Sequence, residues 1–216
     1  LIDCFSNIAD ANATIIADAG FGFYVVGQAF RSKEDQFVIS SGGLGAMGFA
    51  LPAAIGALAA NPNRQVICVT GDGSLQTNIQ ELAVLKRYSL NIKLFVVNNG
   101  GYVSIRNTQN NYFSGNLVGS DTESGVWIPS LDKIAAAYEI PYRCIKRLPD
   151  LNEWTKGVLS HTGPIICEVF VPQVGEVIPT VSSQKLADGK MLSKPLHEMY
   201  PFWSAADTAR HMFLKT

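Results

Sequence analysis

Six short runs of β-branched and apolar residues punctuate the chain: Thr14 to Ala17, Phe37 to Ser40, Gln65 to Thr70, Lys93 to Asn98, Pro141 to Ile145 and Pro164 to Val171. A half-solvated strand would alternate apolar with polar residues, whereas these runs are nearly continuous, so each is predicted to be a strand covered on both faces. Stretches of helical period separate them. Thr77-Asn78-Ile79-Gln80 has capping-box form, and Leu75, Ile79, Leu82 and Leu85 recur at steps of four and three with Glu81, Lys86 and Arg87 between them. Ser130 is placed to cap a further helix running through Tyr138, and Asp150 one that ends near His161-Thr162-Gly163. Alternating strands and helices predict an α/β fold: a doubly wound, mostly parallel six-stranded sheet with helices on both faces.

Two segments break this rhythm. Asn107 to Trp127 is rich in Asn, Gly, Ser and Thr and is predicted to be a long loop, either at an active site or on the surface. Residues 172 to 216 lack strand signals. The chain is therefore divided into an α/β domain over 1–171 and a C-terminal extension over 172–216 that packs on that domain or on a partner.

Composition narrows the function. Of 216 residues, 47% are hydrophobic and 16% charged, enough for one domain with a substantial core. Seventeen Lys plus Arg against 18 Asp plus Glu give a net charge of −1, which leaves no broad basic surface for a nucleic-acid backbone. Phe49 to Ala60 is interrupted by Pro52 and Gly56 and falls well short of the roughly 20 apolar residues of a membrane span. The N-terminus has no targeting pattern and starts at Leu1 where an intact product would carry Met, which predicts a fragment or a processed chain. Cys4, Cys68, Cys144 and Cys167 are scattered, without a C-x-x-C pair, and are expected to be buried free thiols of a cytoplasmic protein. His161, His197 and His211 stand in no zinc-hydrolase or triad context.

In an open parallel sheet, ligands bind outside the carboxyl ends of the strands, so the chemistry is sought in the loops that follow them. Four of these loops are unusual: Asp18-Ala19-Gly20, Ser41 to Gly48, Gly71-Asp72-Gly73-Ser74, and Asn98-Asn99-Gly100-Gly101-Tyr102. A strand-end carboxylate flanked by glycines and followed by a helix suits a phosphate bridged by a metal. Asp72, the Asn99 amide oxygen and a carbonyl of Gly100 or Gly101 are all oxygen donors, which suits Mg²⁺. D-G and N-G are also common turn dipeptides. What favours a site is their joint placement: both follow apolar runs, and one helix and one strand lie between them, which brings the loops side by side. No G-x-x-x-x-G-K-[ST] is present, which disfavours a nucleotide triphosphatase.

The Gly71-Asp72-Gly73-Ser74 motif with Asn98-Asn99 after it resembles the signature of thiamine-diphosphate-dependent enzymes, in the domain that binds the diphosphate. The upstream SGGLGAMGFALPAAIGA is similar to the matching stretch of the acetolactate synthase large-subunit branch, and the resemblance runs from about Ile2 to Val171. It implies the thiamine-diphosphate-binding fold. It implies Mg²⁺ held by the Asp72 and Asn99 side chains and the Gly101 carbonyl, and a diphosphate met by Gly73 and Ser74. It further implies a cofactor wall that includes Ala19, Gly20, Gly45, Met47 and Tyr102, with Met47 as the apolar wedge that holds the cofactor bent. Gly43-Leu44-Gly45-Ala46-Met47-Gly48 also satisfies a dinucleotide fingerprint, but an NAD site has no use for Ser74 or for a second Asn-Asn loop.

The implied activity is decarboxylation or carboligation of 2-keto acids, by a transferase or lyase. In this family the activating glutamate lies on a separate pyrimidine-binding domain, of the same or a second chain, usually across the interface of a homodimer or homotetramer. No Glu here falls in that motif's context, so the chain is expected to hold cofactor and metal without completing the active site, either as a fragment, the favoured case, or as a natural small subunit. Two features depart from acetolactate synthases: Phe21-Gly22-Phe23 stands where Gln-His-Gln is common, and the chain continues past the usual end. Another 2-keto acid decarboxylase and a catalytically silent cofactor-binding module are the alternatives. Gln109 and Arg106 are candidates for touching substrate, although Arg106 reads more simply as a solvated helix residue.

Overall fold

The computed structural model of the chain describes residues 1–173, 175, 177–186 and 188–212. It divides into two compact units, 1–175 and 176–216. The first is built on a six-stranded sheet, β1 Thr14–Ala17, β2 Phe37–Ser40, β3 Val66–Gly71, β4 Ile92–Asn98, β5 Tyr142–Ile145 and β6 Ile165–Phe170, in the order β2-β1-β3-β4-β6-β5. Every pairing is parallel. Helix α1 Ile2–Ile8 precedes the sheet, and the helices that cross over are α2 Phe21–Ala29, α3 Ala50–Ala60, α4 Asp72–Leu75, α5 Leu82–Arg87, α6 Val103–Tyr112, α7 Leu131–Ala137 and α8 Leu151–Leu159.

Alternate strand residues face opposite layers, and both layers are apolar. On one side Ile15, Ile67, Phe95 and Cys167 pack against α1, α2 and α8, with the Phe5 ring edge-on to Phe95 at 4.7 Å. On the other, Ile16, Cys68, Leu94 and Ile166 pack against Leu51, Leu82, Leu85 and Ala135 of α3, α5 and α7. This two-sided burial explains why the strands read as unbroken apolar runs. The edge strands are the exceptions: at one end β5 leaves Arg143 exposed, and at the other stands β2. It is an edge strand with β1 as its only neighbour in the sheet, and its Phe37, Val38 and Ile39 are exposed rather than covered on both faces. Cys4, Cys68 and Cys167 are buried free thiols, and Cys144 is partly buried. Burial pushes the Cys68 thiol well above its usual range and that of Cys167 up to about 12, so neither is a nucleophile.

The expected capping box is not formed. The Thr77 hydroxyl donates to the Ser74 carbonyl at 2.8 Å, and the Asn78 amide donates to the Gly48 carbonyl at 2.9 Å. Asn78 has φ −138° and leaves helical geometry, so α4 continues through a 3₁₀ segment, Gln76–Glu81, into α5. The Ser130 hydroxyl bonds the Asp132 carboxylate rather than a backbone N–H, and Asp150 takes both donors of Arg147 at 2.8 Å. The predicted loop from Asn107 is helical as far as Tyr112, because α6 extends to that residue.

The second unit contains strands that the sequence reading did not anticipate. β7 Ser183–Lys185 and β8 Met191–Ser193 pair antiparallel, Thr180 bridges to Tyr200, and α9 runs Ala205–Met212. Among the described residues no helix is long and apolar enough to cross a membrane.

Candidate functional site

The chain runs outward from β1 to β2 and then back across to β3, so the sheet reverses direction between β1 and β3. A crevice opens above the carboxyl ends of the strands at such a point. Asp18, the residue after β1, is 1% exposed and organises this crevice. One carboxylate oxygen accepts the N–H groups of Ala19 at 2.7 Å and Gly48 at 2.9 Å; the other accepts the Thr70 hydroxyl at 2.7 Å and the Ala50 N–H at 3.4 Å. The start of α3 is thus capped from β1, since its own N-cap residue, Phe49, offers no side-chain bond. Gly48 is held from both sides, by Asp18 and by Asn78, at φ +77°. A Cβ there would fall 2.0 Å from the Thr77 hydroxyl oxygen. This anchorage fixes the Ser41–Gly48 loop that carries Gly45 and Met47.

Asp72 opens α4 directly after β3 and is 3% exposed. Its Oδ2 accepts the Gly101 N–H at 2.9 Å, while its Oδ1 is buried with no hydrogen-bond partner. The Oδ1 of Asn99, in the loop after β4, is buried and unpartnered as well. An orphaned buried oxygen costs about 1–3 kcal/mol, so two at one strand-end junction need an explanation. Burial pushes the Asp72 carboxyl above its usual range, against the pull of backbone N–H groups from Gly101, Gly73, Gly100 and Asn99. A hard cation would satisfy both oxygens and favour the ionised carboxylate. Among the described residues no three His, Cys, Asp or Glu side chains cluster, so such a cation would use mixed carboxylate, amide and carbonyl donors.

Arg106 is not the solvated residue expected. It is 6% exposed, and its guanidinium donates to the carbonyls of Asn99 at 2.8 Å and Gly100 at 3.1 Å. The Gly100 carbonyl, one of the two considered for a metal, thus accepts a hydrogen bond from Arg106. Gln109 closes its own loop, donating to the Val118 carbonyl at 2.9 Å.

A cleft of about 320 Å³ lies at this junction. Ala19 and Gly20 line it from β1, Gly45 and Met47 from the anchored loop, Ser74 from α4, and Asn99, Gly101 and Tyr102 from the loop after β4. Met47 is 46% exposed and is not a core residue. Asp72 and Gly73 are not on the cleft wall. Asp72 sits behind Gly101, and the Tyr102 ring covers Gly73 so closely that a Cβ there would come within 2.4 Å of it. The sequence reading missed Val103, Ser104 and Ile105, the first turn of α6, which also line the cleft. Their N–H groups have no acceptor within the helix, as at every helix start, and α2 likewise begins at Gly20 on the cleft wall. Reading Asn107 onward as a loop had hidden α6 and hence this turn.

Residues 18–169 match the family model for the thiamine pyrophosphate enzyme, C-terminal TPP binding domain. Acetolactate synthase 2, chloroplastic, of Brassica napus is 33% identical over 186 residues, which cover 84% of this chain and 29% of that protein. Acetolactate synthase, chloroplastic, of Arabidopsis thaliana is 32% identical over 186 residues, 84% of this chain and 28% of that protein. The acetolactate synthase large subunit of the alga Cyanidium caldarium is 35% identical over 156 residues, 72% of this chain and 26% of that protein. The chain thus matches well under a third of the length of these relatives. An α/β sheet with a strand-end cleft and family-wide similarity over most of its length places the chain among the thiamine-diphosphate-dependent enzymes, in the acetolactate synthase branch.

Proposed function

We propose that this chain binds thiamine diphosphate through Mg²⁺ and is the cofactor-holding part of an enzyme acting on 2-keto acids, by acetolactate synthase-like decarboxylation and carboligation. The observation that carries the reading is the pair of buried, unpartnered oxygens, Asn99 Oδ1 of a cleft-lining residue and Asp72 Oδ1 behind that cleft, within the segment that the family match covers. Asp72, Asn99 and the Gly101 carbonyl would hold the cation. The Ser74 hydroxyl, the Gly73 backbone and the α6 start would meet the diphosphate, where N–H groups and a helix dipole favour negative charge.

When bound, thiamine diphosphate supplies the acidic thiazolium carbon and the electron sink that decarboxylation of a 2-keto acid requires. The chain's own residues bind and orient. Met47, on an anchored loop, would serve as a bulky apolar wedge, with Tyr102, Ile105, Ala19 and Gly20 as further lining of the same cleft. No proton-moving residue is assigned here. The glutamate that activates the cofactor would come from a pyrimidine-binding domain of the same or a second chain, in a homodimer or homotetramer. Phe37 and Ile39 on one face of edge strand β2, Val38 on the other, and Leu44, 91% exposed on the cleft loop, are apolar positions that such a domain would cover. Four free cysteines suit a reducing compartment such as the cytoplasm.

Phe21-Gly22-Phe23 at the start of α2 favours, as a second reading, a 2-keto acid enzyme other than acetolactate synthase. The test is the intact protein loaded with thiamine diphosphate and Mg²⁺ and offered a panel of 2-keto acids, pyruvate included, with carbon dioxide release as readout. Release from pyruvate with acetolactate as product supports the first reading, and release from another acid alone supports the second. Loading without release from any acid would leave a silent binding module.

A further inference from the structure

Arg106 carries a buried positive charge that, among the described residues, is hydrogen-bonded to no carboxylate, although it acts electrostatically on Asp121. Its guanidinium is satisfied by four backbone carbonyls: Nη1 donates to Gly100 at 3.1 Å and Ser120 at 2.9 Å, and Nη2 to Asn99 at 2.8 Å and Gln173 at 2.9 Å. Burying a charge is expensive unless its donors are used; here both Nη groups are used, four of the five N–H donors, by acceptors from three separate segments. Two are in the loop after β4, one is in the segment after α6, and one follows β6. The Ser120 carbonyl is shared, since it also accepts the Tyr102 N–H at 2.9 Å. Gly101, at φ +124°, passes so close that a Cβ there would lie 2.6 Å from that same Ser120 oxygen.

The consequence is a division of oxygens within one loop. Asn99 has a carbonyl and a side-chain oxygen; the carbonyl goes to Arg106, and the side-chain Oδ1 is left buried without a partner. The Gly100 carbonyl goes to Arg106 as well. We propose that Arg106 is a positioning residue for the cation site: by pinning the Asn99 and Gly100 carbonyls it fixes the loop that carries Asn99 Oδ1 and Gly101 beside Asp72. This builds on the Mg²⁺ reading above and adds a selectivity to it. Mg²⁺ demands a small, near-octahedral set of oxygens, whereas Ca²⁺ accepts six to eight in looser geometry. Without the guanidinium the loop is free to relax, and the site becomes larger and less strict.

The experiment uses the intact protein with thiamine diphosphate present and titrates Mg²⁺ and Ca²⁺ separately by calorimetry, comparing the unsubstituted protein with Arg106→Met and Arg106→Lys. Folding of each variant is checked by circular dichroism. Arg106→Met is expected to bind Mg²⁺ roughly tenfold or more weakly, as for other residues that orient metal ligands, while Ca²⁺ binding falls less and the preference for Mg²⁺ narrows. Arg106→Lys keeps the charge without the planar fork and is expected to fall between. If Arg106→Met does not fold, Arg106→Lys decides by the same ratio. Equal weakening of both cations would reduce Arg106 to a packing role, and unchanged Mg²⁺ affinity in a folded variant would overturn the proposal outright. If the unsubstituted protein bound no Mg²⁺, the cation site itself would be wrong, and the role of Arg106 would fall with it.

Discussion

The carboxylate of Asp18 accepts the backbone N–H of Gly48 at 2.9 Å, across 30 positions of sequence, and so ties the end of β1 to the loop that presents Met47. The same side chain receives Ala19, Ala50 and Thr70, and no cation pairs with it among the described residues. Its charge is spread over backbone and hydroxyl donors. Asp18→Asn keeps the shape but puts an NH₂ group where only donors converge, so at least two of these bonds are lost. The expected cost is about 2 kcal/mol or more in urea unfolding, together with weaker cofactor binding through a loosened Ser41–Gly48 loop. Stability within a few tenths of a kcal/mol of the unsubstituted protein would show that the four bonds are dispensable.

Lys93 gives a pH dependence of known sign. It is 1% exposed at the start of β4, and its ammonium donates to Asn91 Oδ1 at 2.5 Å, to the Gly163 carbonyl at 2.9 Å and to the His161 carbonyl. Burial pushes its pKa down to about 8. The unfolded chain then holds this proton between about 8 and the free lysine value of ~10.4, while the folded chain has released it. Stability from this group therefore rises with pH across that window and is lost as pH falls through about 8. Lys93→Met removes the group, so the stability of the unsubstituted protein relative to the variant should increase from pH 8 to pH 10. A difference that stays flat would mean that Lys93 titrates normally.

Thr155 makes the opposite point about buried polar atoms. It is fully buried in α8, and its hydroxyl oxygen has no partner. Nothing at this position suggests a ligand, so the unpaired hydroxyl is simply a cost, and Thr155→Val should stabilise the protein by about 1 kcal/mol, read as a higher Tm. A lower Tm would show that the hydroxyl is paired in solution.

The strands were legible because both faces of the sheet are buried, which leaves unbroken apolar runs. Those of β1 and β2 match the structure residue for residue, and the rest do so within one residue. β2 was placed correctly but its exposure was not, since a run of Phe37, Val38 and Ile39 looks the same whether it faces core or an uncovered edge. Helix α6 was hidden because it has no apolar stripe: only Val103 and Arg106 are buried, and contacts from distant segments hold it. Arg106 could not be read as buried, because its partners are carbonyls, which every sequence supplies. The capping box failed for a similar reason, Thr77 and Asn78 being claimed by Ser74 and Gly48. The β7–β8 hairpin is short and exposed, with too few residues to show a period. Eight of the ten cofactor residues anticipated from the motifs do line one cleft, because loops that follow neighbouring parallel strands are adjacent by construction.

In the proposed site a cation held by Asp72, Asn99 and Gly101 carries the diphosphate. The most direct measurement is a calorimetric titration of thiamine diphosphate into the intact protein, with Mg²⁺ and again with EDTA, repeated for Asp72→Ala. Binding is expected to require Mg²⁺ in the unsubstituted protein and to be lost in Asp72→Ala. Binding of unchanged affinity in EDTA, or in Asp72→Ala, would contradict it.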